Sequence, residues 1–474
     1  MKKEPTLAVI FGNRDFFPDH LVTEARADII RLFDGLGIKS VMPDENATKL
    51  GGVETYADAK ICAELLKKHG GDIDGILVVL PNFGDEKGVL NAVRTAGLDV
   101  PLLIQGYPDD MKSMDVARRR DAYCGKISVC NNLYQVGIPY SLTRKHVIHP
   151  DDPMFREDLM KFVSVCRVTG GLRGARIGAI GARPGAFNTV RYSEKILEAN
   201  GISVTTADLS EILGDFERLN GSDPQVKRKI EEIASYADTG DVPSDKLTLI
   251  AKLGVVLSRF IEDNDLDATA IQCWTSMQKN FGINVCTSMS MMSENLMPSA
   301  CEVDVTGVLS MYAMQLASGS PSALADWNNN YGADEDKLVM FHCGNWCKSF
   351  LPGCKISTAP ILGTTVGVEN TFGALEGRTP AGPLTYCRIS TDDIFGEMKS
   401  FAGEGELTDD ALDTFGAKAV AHIPGLDMLM QYVCENGFEH HVALNMSHSA
   451  GVLKEAFGKY LGWDVYVHES PGSV

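Results

Sequence analysis

Three carboxylates and a late group of histidines hold most of the chemistry that this sequence could do. Glu302 and Asp304 stand together in Cys301-Glu302-Val303-Asp304, and Asp326 follows Glu302 by 24 residues. The chain between them is almost wholly apolar. Taking an ion out of water costs several kcal/mol unless it is paired, so carboxylates in such a setting ask for a cation. A plainer reading also fits: Glu302 and Asp304 as a loop and helix-cap pair, and Asp326 as a turn residue. Three of the ten histidines, His440, His441 and His448, lie between Glu439 and Ser449, with Asn445 among them. Neutral imidazole is the commonest metal ligand. Adjacent His440 and His441 on a strand would point to opposite faces, one toward a ligand and the other into packing.

The elements that must position these groups follow from periodicity and turn residues. Thr306 to Ser318 reads as a helix that is apolar on most sides. Gly319-Ser320-Pro321 ends it, and Ser322 to Ala325 reads as a buried strand ending on Asp326. Upstream, residues 1–165 alternate short apolar strands (7–11, 39–42, 75–80, 101–105) with helices (20–36, 56–68, 88–96). Such strands between helices predict a parallel sheet covered on both faces. Ligands of such sheets lie beyond the carboxyl ends of the strands. Arg14, Asn82 and Gln105 stand at three of those ends, where turn residues are also expected. Arg14 would set a permanent cation at the mouth of the first strand.

His149-Pro150-Asp151-Asp152-Pro153 reads as a linker. The alternation then restarts with helices expected over 155–168, 188–200, 224–236 and 246–263. Strands are expected over 175–181, 203–206 and 268–274. From about Pro352, Gly, Pro and Thr become frequent and short strands are expected at 363–368, 384–389 and 417–421, before a helix over 450–461. The predicted fold is therefore α/β: two doubly wound parallel-sheet domains, at 1–165 and 166–350, followed by a β-rich domain at 351–474. The second carries the carboxylates and the third the histidine cluster.

Composition narrows the function classes. The 474 residues carry a net charge of −19, which argues against nucleic acid and against an anionic membrane surface. No apolar run approaches the about 20 residues of a membrane span, and the N-terminal residues show no signal-peptide pattern, so a cytoplasmic protein is expected. The twelve cysteines are scattered. Cys343, Cys347 and Cys354 come closest to a cluster, but their spacing lacks the paired knuckles of a zinc site. Gly178, Gly181 and Gly185 do not form the dinucleotide-binding fingerprint, and Pro184 sits inside the turn.

The segment Glu302-Val303-Asp304 with Gly307, followed by Asp326 in Leu324-Ala325-Asp326, resembles the acidic signature of the L-fucose isomerases, within the fucose/arabinose isomerase superfamily. The domain order and the late His-His pair resemble that superfamily too. The resemblance implies a divalent ion, usually Mn²⁺ with Mg²⁺ or Co²⁺ as substitutes, held by Glu302, Asp326 and one of His440 and His441. His441 is favoured and His448 is held in reserve. It also implies a homo-oligomer, a hexamer or trimer, in which neighbouring subunits share each site. His342 and Arg14 become candidate sugar contacts, together with Asn82, Gln105, His440 and Asn445. Trp346 and Trp327 are candidate stacking residues, against the ordinary reading of buried tryptophan as core. An arginine at position 14 would suit hydroxyls or an anionic substituent, which keeps sulfonated hexoses among the substrates.

The chemistry fits these residues on its own terms. Moving a proton between C1 and C2 of an aldose through a cis-enediol needs a base, an acid for the hydroxyl protons, and positive charge where the oxyanion develops. Glu302 and Asp326 are the expected acid/base pair. The competing expectations are a non-catalytic sugar-binding protein, since two α/β domains with a cleft also describe solute receptors, and a nicotinamide-dependent oxidoreductase.

Overall fold

The computed structural model describes residues 4–469, which form two compact units. The first runs to residue 170 and includes Lys459–Leu461; the second holds the rest.

The first unit is built on a parallel sheet in the strand order Lys39–Val41, Thr6–Gly12, Gly75–Leu80, Leu102–Gly106, Ser141–Leu142, with Gly52–Val53 also paired to Thr6–Gly12. Its central strands are buried throughout. Because side chains alternate between faces, each strand feeds two cores. Leu7, Val9, Phe11, Leu77 and Val79 pack on one side, and Ala8, Ile10, Ile76, Val78 and Leu80 on the other. The helices His20–Leu36 and Tyr56–Lys68 have the expected bounds. The second is fixed by a capping box in which Thr55 and Asp58 satisfy each other's backbone N–H groups.

The second unit joins two sheets. One is parallel, in the order Ser299–Ala300, Ala268–Ile271, Arg176–Ile180, Ser203–Ala207. The other is mainly antiparallel, and its strands Ala417–His422, Lys337–His342, Ser322–Asn330, His441–Asn445, Gly382–Asp392 and Glu397–Thr408 pair in that order. The last of them pairs back with the first, so these strands close into a barrel with no free edge between them. The fold class is thus α/β layers followed by a strand-rich region, and the barrel recruits its strands 322–330 and 337–342 from before residue 351. The helix Val305–Ser318 is buried on nearly every side. It packs against both Ala268–Ile271 and the barrel strands Gly382–Asp392 and His441–Asn445, which accounts for its lack of a polar stripe.

Several elements differ from expectation. Residues 363–368 form no strand; a helix runs over Pro360–Val366, started by Pro360 with its fixed φ, which outweighs the β-branched composition. The helix expected over 188–200 shrinks to a 3₁₀ turn at Asn188–Val190 and a short helix at Glu194–Ala199, and Asn188 caps neither. The strand expected over 268–274 ends at Ile271, which frees Gln272, Cys273 and Trp274 to leave the sheet. The strand from Ser322 continues past Asp326 to Asn330, with an irregularity between Trp327 and Asn329. The final helix changes from α to π geometry after Lys454.

Candidate active site

In the second unit, Ala268–Ile271, the N-terminus of the helix Val305–Ser318 and three barrel strands converge on one set of polar side chains. Glu302 lies in the turn that leads into that helix and is only 4% exposed. Its backbone and that of Val303 adopt left-handed φ values of 58° and 57°, a conformation that costs energy for residues with a Cβ and is retained where the surroundings demand it. One carboxylate oxygen, Oε1, accepts hydrogen bonds from Trp274 Nε1 at 2.9 Å and from the Cys273 thiol at 3.2 Å. The other, Oε2, is buried and accepts none. It faces His342 Nε2 at 3.7 Å and His441 Nε2 at 3.9 Å.

Asp326 joins them by strand register. It lies directly opposite His441 in the antiparallel pair, and Asp326 Oδ1 is 3.4 Å from His441 Nε2 and 3.5 Å from His440 Nε2. His440 lies just outside the strand, with its carbonyl accepting from Trp327 N. The expected alternation of faces therefore does not apply to it, and both histidine rings flank Asp326. Burial, followed by the neighbouring His441, lowers the His440 pKa below its ordinary value.

Behind this cluster lies a buried ion network. Asp304 caps the helix through Gly307 N at 2.8 Å and is fully buried. It is both a cap and an ion-pair partner. Arg388 donates to it in a bidentate pair, at 2.7 Å to Oδ2 and 2.9 Å to Oδ1, and also donates to Thr306 Oγ1. Glu439 accepts from Arg388 Nε at 3.1 Å and from Ser390 Oγ at 2.7 Å. Burial opposes ionisation of Asp304, but the Arg388 guanidinium and His441 outweigh it and hold the carboxyl well below the usual carboxylate range. Asp304 is therefore an acceptor, and His441 Nδ1, 2.8 Å from Oδ2, must donate to it. In the neutral ring this leaves the lone pair of His441 Nε2 pointing at Glu302 and Asp326. Burial disfavours the His441 imidazolium, yet Asp304, Glu302 and Asp326 together raise its pKa above the ordinary histidine value.

His342 is oriented in the opposite sense. The backbone N–H of Cys343 donates to its Nδ1 at 3.0 Å, so a neutral ring carries its proton on Nε2. That nitrogen is buried without a partner. His342 thus offers a donor where His441 offers a lone pair.

The ligand atoms of Glu302, His342 and His441 lie within 4.8 Å of one another, as do those of Asp326, His440 and His441. An orphaned buried carboxylate oxygen, a second carboxylate and an imidazole lone pair suit a hard divalent cation of the Mn²⁺ or Mg²⁺ kind. A second group, of thiols, sits alongside: Cys286, Cys301 and Cys343. Cys347 and Cys354, whose sequence spacing from Cys343 came closest to a cluster, belong to no such group among the described residues, and His448 is exposed and apart from these clusters.

The remaining residues singled out in the sequence have the following surroundings. Trp346 is fully buried and donates its indole N–H to Leu324 O at 2.7 Å. Trp327 packs edge-on to Tyr386, at 5.7 Å between ring centroids. Trp346 is a core residue closed to a sugar, whereas Trp327 is partly buried and packs against the core. Asn445 is buried and donates to Pro321 O at 2.8 Å. In the first unit, Asn82 donates to Asn13 Oδ1 at 2.6 Å, and Gln105 donates to Ile148 O at 2.6 Å. Arg14 stacks over Phe83, with 4.2 Å to the ring centroid, and pairs with Glu86. Sequence reasoning missed Cys273, Trp274, Arg388 and Glu439. A lone arginine inside the apolar run Leu384–Ile389 was the one available signal, since a charge there requires a partner.

The description "Fucose/sulfoquinovose isomerase, N-terminal domain" matches residues 8–173, and "L-fucose isomerase, C-terminal domain" matches residues 340–469. Curated relatives include proteins named sulfoquinovose isomerase. That of Priestia aryabhattai is 27% identical over 251 residues, covering 51% of this chain and 53% of its own. That of Alkalicoccus urumqiensis is 25% identical over 308 residues, covering 62% and 66%. That of Clostridium sp. (strain MSTE9) is 24% identical, covering 46% and 47%. The chain thus spans about half the length of the first of these relatives. No helix among the described residues is long and apolar enough to cross a membrane.

Proposed function

The chain belongs to the L-fucose isomerase-like superfamily, and from that premise we propose that it is a metal-dependent aldose–ketose isomerase acting on a sulfonated hexose. One observation carries the reading. The buried Glu302 Oε2, which accepts no hydrogen bond, faces His441 Nε2, and Asp326 Oδ1 approaches the same nitrogen. Such a carboxylate is tolerable when a cation or a reacting proton completes it.

Glu302, Asp326 and His441 would hold the ion, with Mn²⁺ favoured and Mg²⁺ or Co²⁺ as substitutes. Bound there, it would supply positive charge and a template for the two oxygens of the substrate. An ionised carboxylate has about four lone-pair sites, so each acid can hold a cation and still exchange a proton. Glu302 is screened from water and held rigidly by Trp274, which suits it to the carbon-bound proton moved between C2 and C1. Asp326 is nearer to solvent, with its side chain 28% exposed, which suits it to the hydroxyl protons. His342 Nε2–H donates to a substrate oxygen and orients it. The sulfonated substrate is supported by the names of the relatives. The same family reading implies a homo-oligomer with shared sites and a cytoplasmic location.

The test is ketose formation from a panel of aldoses: a 6-sulfonated hexose, L-fucose, D- and L-arabinose and D-ribose. The protein is stripped with chelator and assayed with and without Mn²⁺. Metal-dependent conversion of the sulfonated sugar is expected. Conversion of no sugar, with no metal retained, contradicts the proposal.

A further inference from the structure

The parallel strands Arg176–Ile180 and Ser203–Ala207 are hydrogen-bonded neighbours, and a cavity of about 230 Å³ opens beyond their carboxyl ends. Gly181, Arg183, Arg191, Tyr192, Thr206 and Val303 line it. Open α/β sheets bind their ligands at this end. No carboxylate lines the cavity, and neither arginine forms an ion pair among the described residues. Arg183 donates Nη1 to Pro184 O at 3.0 Å, and Arg191 donates Nε to Asn188 O at 2.9 Å. A guanidinium has five N–H donors, so most of each remains free. Two cations without an ion-pair partner, on a protein of net charge −19, are a feature that draws anions, although the Glu194 carboxylate acts on the neighbouring Tyr192.

The cavity also adjoins the candidate active site. Val303 follows Glu302 directly. Phe187, in the loop that carries both arginines, has its ring centroid 5.2 Å from that of Trp274 and 5.4 Å from that of His440. The same loop therefore walls the carboxylate–histidine cluster on one side and the cationic cavity on the other. The parallel strand Ala268–Ile271, whose end delivers Cys273 and Trp274 to Glu302, pairs with Arg176–Ile180. The two subsites therefore lie at the ends of neighbouring strands and share the turn at Glu302 and Val303.

We propose that Arg183 and Arg191 form the subsite for a tetrahedral oxyanion carried on the terminal carbon of the aldose, with the sulfonate as the group taken, and that the Tyr192 and Thr206 hydroxyls complete it. The inference rests on the isomerase reading, in that the other end of the sugar must lie at Glu302 and Asp326. It assigns selectivity to this loop. Planar guanidinium forks hold sulfonate or phosphate oxygens in pairs of charge-assisted bonds, while a neutral terminal carbon would leave both cations without an anion.

The test compares the Mn²⁺-loaded wild type with Arg183→Gln, Arg191→Gln and the double variant. The substrates are a 6-sulfonated hexose, the matching hexose 6-phosphate and the unsubstituted hexose. Arg191 is exposed and Arg183 half-buried, and equal thermal melts would establish equal folding. For the double variant, KM for the sulfonated sugar should rise roughly 10- to 100-fold, the range for lost charged hydrogen bonds. Its preference over the unsubstituted sugar should fall by the same factor, with a smaller change in kcat. Unchanged KM and preference would overturn the assignment. A hexose 6-phosphate used better than the sulfonate and equally sensitive to both substitutions would overturn the sulfonate and leave a phosphate subsite. A wild type that isomerises no aldose would sink the isomerase reading instead. Calorimetric binding of the sulfonated hexose then judges the cavity: weaker binding by the double variant supports it, and equal binding refutes it.

Discussion

His441 Nδ1 lies 2.8 Å from Asp304 Oδ2, and this contact decides which nitrogen of His441 faces the other site carboxylates. Asp304 is itself pinned by Arg388 and by the helix N-terminus, so the imidazole inherits its orientation from a rigid support. Asp304 is a positioning residue in this account, set one shell behind Glu302 and Asp326.

Replacing Asp304 with Asn should show this. The substitution removes the charge that fixes the His441 proton on Nδ1 and leaves Arg388 with Glu439 alone. Mn²⁺ affinity, measured by calorimetry, should fall about 10- to 100-fold. The fold should lose roughly 3–5 kcal/mol, the usual cost of breaking a buried pair. Unaltered affinity in a folded variant would mean that Asp304 serves the fold only.

The pH dependence of metal binding follows from the raised pKa of His441. A cation needs the neutral ring, so protons compete with it below that pKa, which lies above the ordinary value of about 6.5 in the metal-free protein. Affinity should therefore rise with pH through this region and level off above it. Binding should expel a proton. Titrations in buffers of different ionisation enthalpy would measure that release, and Mn²⁺ binding without it at pH 7 would contradict the assignment.

Gly307 is required by close approach. A Cβ there would collide with Asp304 Oδ2 and come within 2.8 Å of Arg388 Nη1. Gly307→Ala should destabilise the protein by about 1–3 kcal/mol, as overpacking does, although alanine is the better helix former. A thermal melt at or above that of wild type would show that the ion pair has room to shift.

Much of the architecture was legible in the chain because strands buried on both faces read as unbroken apolar runs, as in Gly75–Leu80, and amphipathic periodicity bounded helices such as His20–Leu36 and Tyr56–Lys68. Glu302 and Asp326 drew attention because a charge in an apolar segment is costly and therefore conspicuous, and the resemblance to the isomerases singled them out as a pair. Arg388 and Glu439 were not, since their partners lie 84 and 51 residues away in sequence and only the closed barrel brings them together. Trp274 escaped for a related reason: it read as the end of a strand, whereas that strand stops at Ile271 and the chain turns toward Glu302. Pro360–Val366 misled because β-branched residues were weighed above the N-terminal proline.

The most direct test of the central claim, that Glu302 moves the proton between C2 and C1 while Asp326 exchanges the hydroxyl protons, is isomerisation of the 6-sulfonated hexose in deuterated water with Mn²⁺ bound. The wild type should form a ketose carrying solvent deuterium at C1, while Glu302→Gln and Asp326→Asn, folded as judged by their melts, should form none. A ketose free of solvent deuterium, or turnover at the wild-type rate by either variant, would contradict it.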